Sequence, residues 1–281
     1  MPADFGGELR SINDAARSTS ALPSTITSLT RDLRNLGVQP GMNALVHSSL
    51  SALGYVVGSA HAVVEAMLAA FGDSGTIMMP TFSGDLSDPG KWENPPVPEL
   101  WWPVLREHMP AFDPLRTGTR EMGRINELFR HYPNVRRGYH PQVSFAAIGP
   151  NTDVLLDHHD LASHLGELSP LARLYDLDGW ILMCGTGHAN NTSLHLSEHR
   201  STPASARRKV ESAPIFRNGE RQWVTYETLD TDDDDFAEIG AAFAASTGLE
   251  KVGPLGSGKG RLIPMRALVD FGAAWMDAHR H

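Results

Sequence analysis

The stretch MNALVHSSLSALGYVVGSAHAVVEAMLAAFGDSGTIMM, residues 42–79, decides the fold class. Met42 to Val46 is a short apolar run with the length of a buried strand, and it gives way to the polar turn HSSLSALG from His47 to Gly54. Ser59 stands where it can cap a helix over AHAVVEAMLAAFG, and Gly75 to Met79 forms a second apolar run. Strand, loop, helix and strand in that order favour an α/β domain whose parallel strands are joined by a right-handed crossover.

Working outward, Ile26, Leu29, Leu33 and Leu36 share one face of a helix over Ser24 to Leu36, with Gly37 as its C′ residue. Val143 to Gly149 (VSFAAIG) and Trp180 to Gly185 (WILMCG) are two more apolar strand candidates ending in glycine. The loop TGHANN follows the second, and a helix is expected from near Thr192. Ligands of open α/β sheets bind at such strand-end loops. Asp232 to Ser246 begins acidic and turns apolar, as a helix complementing its own dipole does, and Pro264 precedes a last amphipathic helix, Met265 to Ala278.

Between the strands, Pro80 to Tyr139 is rich in Pro, Trp and Gly and has little periodicity before Glu121 to Phe129. Trp92, Trp101 and Trp102 argue against disorder there, so this segment, at about 80–140, is expected to be an ordered excursion on the substrate side. No internal repeat or linker divides the chain; residues 24–281 are expected to form a single domain behind a flexible segment, 1–23.

Composition narrows the function. Of 281 residues, 41% are hydrophobic and 20% charged, a balance that fits neither a disordered nor a membrane protein. No run approaches the roughly 20 apolar residues of a bilayer span. MPADFGGELR at the start has no basic region leading into an apolar core, so no secretory signal is expected. Cys184 is the one cysteine, which excludes an intramolecular disulfide and suits a reducing cytoplasm. With 24 Lys plus Arg against 33 Asp plus Glu, the formal charge of -9 disfavours nucleic acid as a partner and favours a cation.

The densest polar cluster is GTGHANNTSLHLSEHR, Gly185 to Arg200. On a helix His195 and Glu198 face the same side, so the carboxylate can hydrogen-bond the imidazole and raise its basicity, the outline of a general-base dyad. The same residues with His199 spell H-x-x-E-H, the inverted zinc-protease signature, for which Asp232 to Asp235 or Glu238 could supply a third ligand. Gly253, Gly258 and Lys259 match a phosphate-binding loop, but Gly260 replaces its hydroxyl residue and no strand pattern precedes it, so a turn is expected. Cys184 lies inside an apolar strand and is expected to be packed, not nucleophilic. Ser48 and Ser49 lack a hydrolase elbow and are better suited as ligand or cap donors. His158 and His159, in a polar loop, are expected at the surface; ARRK, Ala206 to Lys209, is expected as a solvated loop or a phosphate contact.

An ordered series of segments carries a family resemblance: LVHSSLSALG at 45–54, GTIMMPTFSGDLSDPGKWENPPVP at 75–98, FDPLRTGTREMGRINELFRHYPNVRRGYHPQVSFAAIGP at 112–150, GELSPLARLYDLDG at 166–179, GHANNTSLHLSEHR at 187–200, and RLIPMRALVDFGAAWM near the end. Together they cover nearly the whole chain after residue 24 and resemble the aminoglycoside 3-N-acetyltransferases, the antibiotic N-acetyltransferase family that uses acetyl-coenzyme A. The SGD-x-SDP-x-x-W and PPVP elements resemble its antibiotic-modifying members.

The resemblance implies a layered sheet with helices on both faces, distinct from the commoner N-acetyltransferases, whose Q/R-x-x-G-x-G/A loop is not found here. It implies direct transfer of an acetyl group from acetyl-coenzyme A to the 3-amine of an aminoglycoside, with antibiotic resistance as the consequence and no metal. The wider family also acetylates biosynthetic amines. His195 becomes the catalytic histidine, Glu198 its orienting carboxylate, and Thr192 a contact to the acetyl-donor end. His47, Ser48, Ser49 and Leu50 would line the coenzyme A site. Asp85, Trp92 and Glu93 would face the aminoglycoside, joined by Asp235 from the acidic run. Two positions depart from the family pattern. Phe82 stands where Gln is frequent, which bears on the drug spectrum, and His199 stands where an aromatic residue is frequent, which separates it from the motif.

Overall fold

A computed structural model of the chain describes residues 22–205 and 207–280; the N-terminal segment expected to be flexible lies outside them apart from Leu22 and Pro23. A seven-stranded sheet runs in the order β3-β4-β2-β1-β5-β9-β8, built from β1 (Asn43–Ser48), β2 (Thr76–Pro80), β3 (Arg136–Arg137), β4 (Phe145–Ile148), β5 (Trp180–Cys184), β8 (Lys251–Leu255) and β9 (Gly258–Pro264). The expected parallel pairing holds at the centre, where β1 is parallel to both β2 and β5. The flanks differ from that expectation: β4, β3, β9 and β8 all pair antiparallel, making the sheet mixed.

Alternation along the central strands assigns the two faces. Ala44, Val46, Ile77, Met79, Leu182 and Cys184 pack into one core with α1 (Ile26–Leu36) and α2 (Ser59–Phe71). Leu45, Met78, Ile181 and Met183 enter the opposite core with α6 (Pro170–Asp176), α7 (Leu194–Arg200), α8 (Phe236–Thr247) and α9 (Met265–His279). Strands covered on both faces must be apolar at every position, which is why they read as continuous runs. The three remaining helices are α3 (Trp102–His108), α4 (Gly123–Phe129) and α5 (Thr152–Leu156).

The helix termini refine the sequence reading. α1 is closed by Thr25, which bonds the backbone of Ser28 in a capping box, and by Gly37 in the left-handed conformation. Ser59 does not cap α2. It is already the first helical residue, and the cap position is held by left-handed Gly58 without a side-chain bond.

A second sheet, unforeseen in the sequence reading, is the hairpin of β6 (Arg208–Arg217) and β7 (Glu220–Leu229). Its two-residue loop is Asn218-Gly219, both at positive φ, the geometry that pairs twisted strands across a tight turn. Arg208 and Lys209 of the basic run therefore begin a strand and are not in a loop. Gly253 to Lys259 is a hairpin turn as expected, although a strand, β8, does precede it. His158 is exposed, but His159 is buried, its ring 4.5 Å from that of His140.

The excursion is ordered because it is stitched to this hairpin. The backbone N–H of Phe112 donates to the Pro214 carbonyl at 3.0 Å, and Arg221 Nε donates to the Met109 carbonyl at 2.7 Å. Within the excursion Arg106 pairs with Asp88 at 2.7 Å, and Trp92 Nε1 donates to Ser87 Oγ at 2.9 Å.

Candidate active site

Three neighbouring parallel strands present their C-terminal ends at one edge of the sheet. His47 and Ser48 end β1, Pro80 ends β2, and Thr186 lies just beyond β5; all four line a cleft of about 350 Å³ with Asn126, Thr192, His195 and Phe236. This is the strand-end crevice that open α/β sheets use for ligands. Alternation also divides β1's last two residues. His47 follows Leu45 onto the α7 side, whereas Ser48 turns to α4 and donates from Oγ to Asn126 Oδ1 at 3.1 Å. Asn126 Nδ2 in turn donates to the Pro80 carbonyl at 2.9 Å, tying the ends of β1 and β2 together.

Gly185 lets the chain leave β5 towards α7. Its φ is +76°, and a Cβ there would lie 2.8 Å from Ala52 Cβ and 3.1 Å from the Ser49 carbonyl oxygen, so a side chain would be excluded on both counts. α7 then buries Leu194, Leu196 and Ser197, with Ser197 Oγ donating to the Val269 carbonyl of α9 at 2.9 Å. That leaves His195, its side chain 14% exposed, facing the cleft.

His195 Nδ1 and Glu198 Oε2 are 2.6 Å apart. The Glu198 side chain is 1% exposed, and its other oxygen accepts from Arg280 Nη1 at 2.7 Å and from the Asp232 backbone N–H at 2.8 Å. A carboxylate on Nδ1 fixes the tautomer, orients the ring and stabilises an imidazolium, leaving Nε2 to take a proton. The Phe236 ring meets His195 edge-on, centroids 4.8 Å apart.

Two further cleft residues carry buried polar atoms that make no hydrogen bond among the described residues, His47 Nε2 and Thr186 Oγ1. Such atoms are uncommon in native interiors and are suited to a ligand. Burial, and secondarily the neighbouring His195, push the His47 imidazole down to about 3, so His47 is neutral at neutral pH. His199 is turned away from this chemistry. A Cβ on Gly166 would meet its ring at 2.4 Å, the His164 ring lies 5.5 Å from it, and burial pushes it down to about 4.

Asp85, Trp92 and Glu93 come together in an outer cleft of about 730 Å³ that shares Phe82, Glu121 and Met122 with the inner one. Phe82, the position that departs from the family pattern, thus stands at the junction. The Asp85 carboxylate is paired with Arg120, while Glu93 has no ion pair or hydrogen bond through its side chain among the described residues. Ser49 and Leu50 do not line either cleft. Ser49 N–H donates to the Cys184 carbonyl at 2.9 Å, and Leu50 is buried in the core beside α2. Asp235 is held by Arg280 at 2.6 Å, and it is Asp233, two residues earlier, that lines the inner cleft.

Sequence reasoning missed Asn126, Thr186, Glu121, Asp233, Phe236 and Arg280. Thr186 could have been taken from its place in the strand-end loop; Arg280, one residue past the last helix, carries no local signal. A larger hollow of about 830 Å³ lies elsewhere, beside Arg136, Tyr139, Phe216 and Tyr226. It contains none of the expected site residues and no paired base, so size does not make it the centre of the chemistry.

Residues 45–277 match the model of a family described as aminoglycoside 3-N-acetyltransferase. The chain is 43% identical over 258 residues to the SPbeta prophage-derived aminoglycoside N(3')-acetyltransferase-like protein YokD of Bacillus subtilis (strain 168), covering 92% of this chain and 94% of that protein. The crystal structure of YokD matches with a TM-score of 0.90 over 92% of this chain and 95% of that one, at 42% identity. AAC-VIa bound to sisomicin matches at a TM-score of 0.82 and 32% identity, over 92% of this chain and 98% of that one. AAC-IIIb in a binary complex with CoASH matches at 0.81 and 30% identity, over 92% and 97%. The layered mixed sheet, the strand-end cleft and these likenesses agree: the chain belongs to the aminoglycoside 3-N-acetyltransferase family and is an acyltransferase.

Proposed function

We propose that the protein transfers an acetyl group from acetyl-coenzyme A to the 3-amino group of the 2-deoxystreptamine ring of an aminoglycoside, directly, with His195 as the general base. The observation that carries this reading is the His195–Glu198 pair, set in a cleft where three strand ends and two unpartnered polar atoms meet. AAC-IIIb with CoASH and AAC-VIa with sisomicin support the two substrates by likeness.

The amine must be neutral to attack. Its nitrogen bonds to the thioester carbonyl carbon while Nε2 of His195 accepts its proton, and Glu198 stabilises the imidazolium that forms. The C–S bond then breaks, and the leaving thiolate takes a proton to become CoASH. Thr192 and the 185–191 loop border the acetyl-donor end, where Thr186 Oγ1 is suited to meet the developing oxyanion. His47 and Ser48 would hold the thioester end from β1.

An acetyl-enzyme is disfavoured. Cys184 is buried in the core on the α1–α2 side of the sheet, and burial pushes its thiol up to about 12, far from a thiolate at neutral pH. The metalloprotease alternative also loses support. Glu198 is committed to His195, Arg280 and the Asp232 N–H, and His199 packs against Gly166 and His164.

Acetylation turns a drug ammonium into a neutral amide, which weakens binding to anionic targets and makes antibiotic resistance the biological reading. The thioester substrate places the reaction in the cytoplasm. A thiol-release assay over an aminoglycoside panel is the test. Wild-type protein should release CoASH only with acceptors bearing the 3-amine, and His195→Ala should cut kcat/KM by about 10²–10⁴-fold with coenzyme A affinity nearly unchanged. Near-normal turnover of His195→Ala would remove the base assignment, and turnover with simpler amines but no aminoglycoside would move the substrate to a biosynthetic amine.

A further inference from the structure

Arg280 lies one residue beyond α9 and 82 positions from Glu198, yet it touches the dyad's carboxylate. Its side chain is 12% exposed. Nη1 donates to Glu198 Oε1 at 2.7 Å, Nη2 donates to the Asp232 carbonyl at 2.7 Å, and Nε and Nη2 clasp the two Asp235 oxygens at 2.8 and 2.6 Å. Burial opposes its charge, but the hydrogen bonds and attraction of Asp235 and Glu198 outweigh burial and hold the guanidinium above its ordinary value.

A carboxylate as buried as Glu198 requires a compensating cation. Two groups in contact with it can supply one, the guanidinium of Arg280 or a protonated His195. If Arg280 supplies it, the imidazole can rest neutral, the form in which a general base must begin. Other titratable groups around the dyad do not compete for this role. His47 from β1, His164 from the loop before α6 and His199 from α7 are pushed down to about 3, 2 and 4, chiefly by burial, and are neutral between pH 6 and 9. Glu121 and Asp233 line the cleft, and Asp232 and Asp235 lie on the Arg280 side; all four are acidic.

Resting on the reading of His195 as the base, we propose that Arg280 is a positioning residue for acetyl transfer. It provides the fixed positive charge that balances Glu198, so that His195 begins neutral, and it fastens the 232–235 segment, which carries the cleft residue Asp233, to the same carboxylate. One guanidinium thereby couples the chemistry to the wall that meets the acceptor.

The test is the pH dependence of kcat/KM for Arg280→Gln and Arg280→Lys. Loss of the cation in Arg280→Gln favours the protonated imidazole, so the acid limb should move to higher pH by about one unit or more. Activity should then be about tenfold lower at pH 7 and close to wild type at pH 9. Arg280→Lys keeps a charge but cannot bridge three acceptors, so kcat should fall while the limb stays in place. The acceptor amine titrates identically for each enzyme, so the difference between profiles reports the protein. A uniform loss across pH, with the Arg280→Gln limb at its wild-type position, overturns the inference. If Arg280→Gln does not fold, histidine NMR of the wild-type protein decides: a neutral His195 ring at pH 7 with its proton on Nδ1 supports it, and a charged ring overturns it. A limb that persists in His195→Ala would instead break the base assignment, so the two failures are distinct.

Discussion

On the sheet side of the cleft, Glu198 is buried and bonded to three partners, His195 shows only an edge, and both sit on a helix pinned to α9. On the excursion side, Asp85, Glu93 and Glu121 are exposed on irregular backbone, and Glu121 stands at a positive φ of 59°. The first wall fixes atoms to within a hydrogen bond, as proton transfer at a reacting centre requires. The second offers carboxylates in a wet, adaptable cleft, which suits a polycation whose ammonium groups are spread over several rings. The overall charge of -9 becomes informative once it is located. Asp85, Glu93, Glu121 and Asp233 line the joined clefts against Lys91 and Arg120, a local surplus of acid on the acceptor side.

The sharpest way to break this contrast is at Glu198. Glu198→Gln preserves the shape of the side chain but removes the charge that orders His195 and pairs with Arg280. It should lower kcat by about 10²–10⁴-fold and leave the aminoglycoside KM within a few fold, as expected for a group felt only through the base. If KM rose while kcat held, the rigid wall would be a binding surface, and the division between the walls would fail.

The sequence resolves the two walls to different depths, and the reason is physical. His195 and Glu198 are legible because helical spacing alone brings them together. The β1–α2–β2 unit is legible because strands covered on both faces leave unbroken apolar runs. The antiparallel flanks are not, since β9 meets β5 from about 80 residues away and nothing local specifies that partner. The β6–β7 hairpin carried its signal in Asn218-Gly219, but its charged ends, Arg208 and Arg217, hid the strands around it. Arg280 is illegible for the same reason as the flanks: only the completed fold brings it to Glu198. That contact also decides between near-identical acids, because Arg280 draws Asp235 inward, while Asp233 lines the cleft. On the excursion side, position in the motif was enough to gather Asp85, Trp92 and Glu93, but their partners could not be read.

Those partners set the order of the weaker effects. The Asp233 side chain makes no ion pair or hydrogen bond among the described residues, so its full charge is available to an ammonium group in the inner cleft. Asp233→Asn should raise the aminoglycoside KM about tenfold, leave the acetyl-coenzyme A KM nearly unchanged, and flatten the rise of KM with salt. Asp85→Asn removes a carboxylate whose charge is already met by Arg120, so the acceptor KM should change by only about twofold. The direction of that small effect is informative in itself. The substitution frees the Arg120 guanidinium beside the outer cleft, and a cation released there repels a polycation, so KM should rise. A fall in KM would mean that the Asp85–Arg120 pair blocks the acceptor, making the excursion a gate and not a recognition wall. In the double variant Asp85→Asn/Arg120→Gln the repulsion is absent, and KM should return towards the wild-type value if charge is the cause.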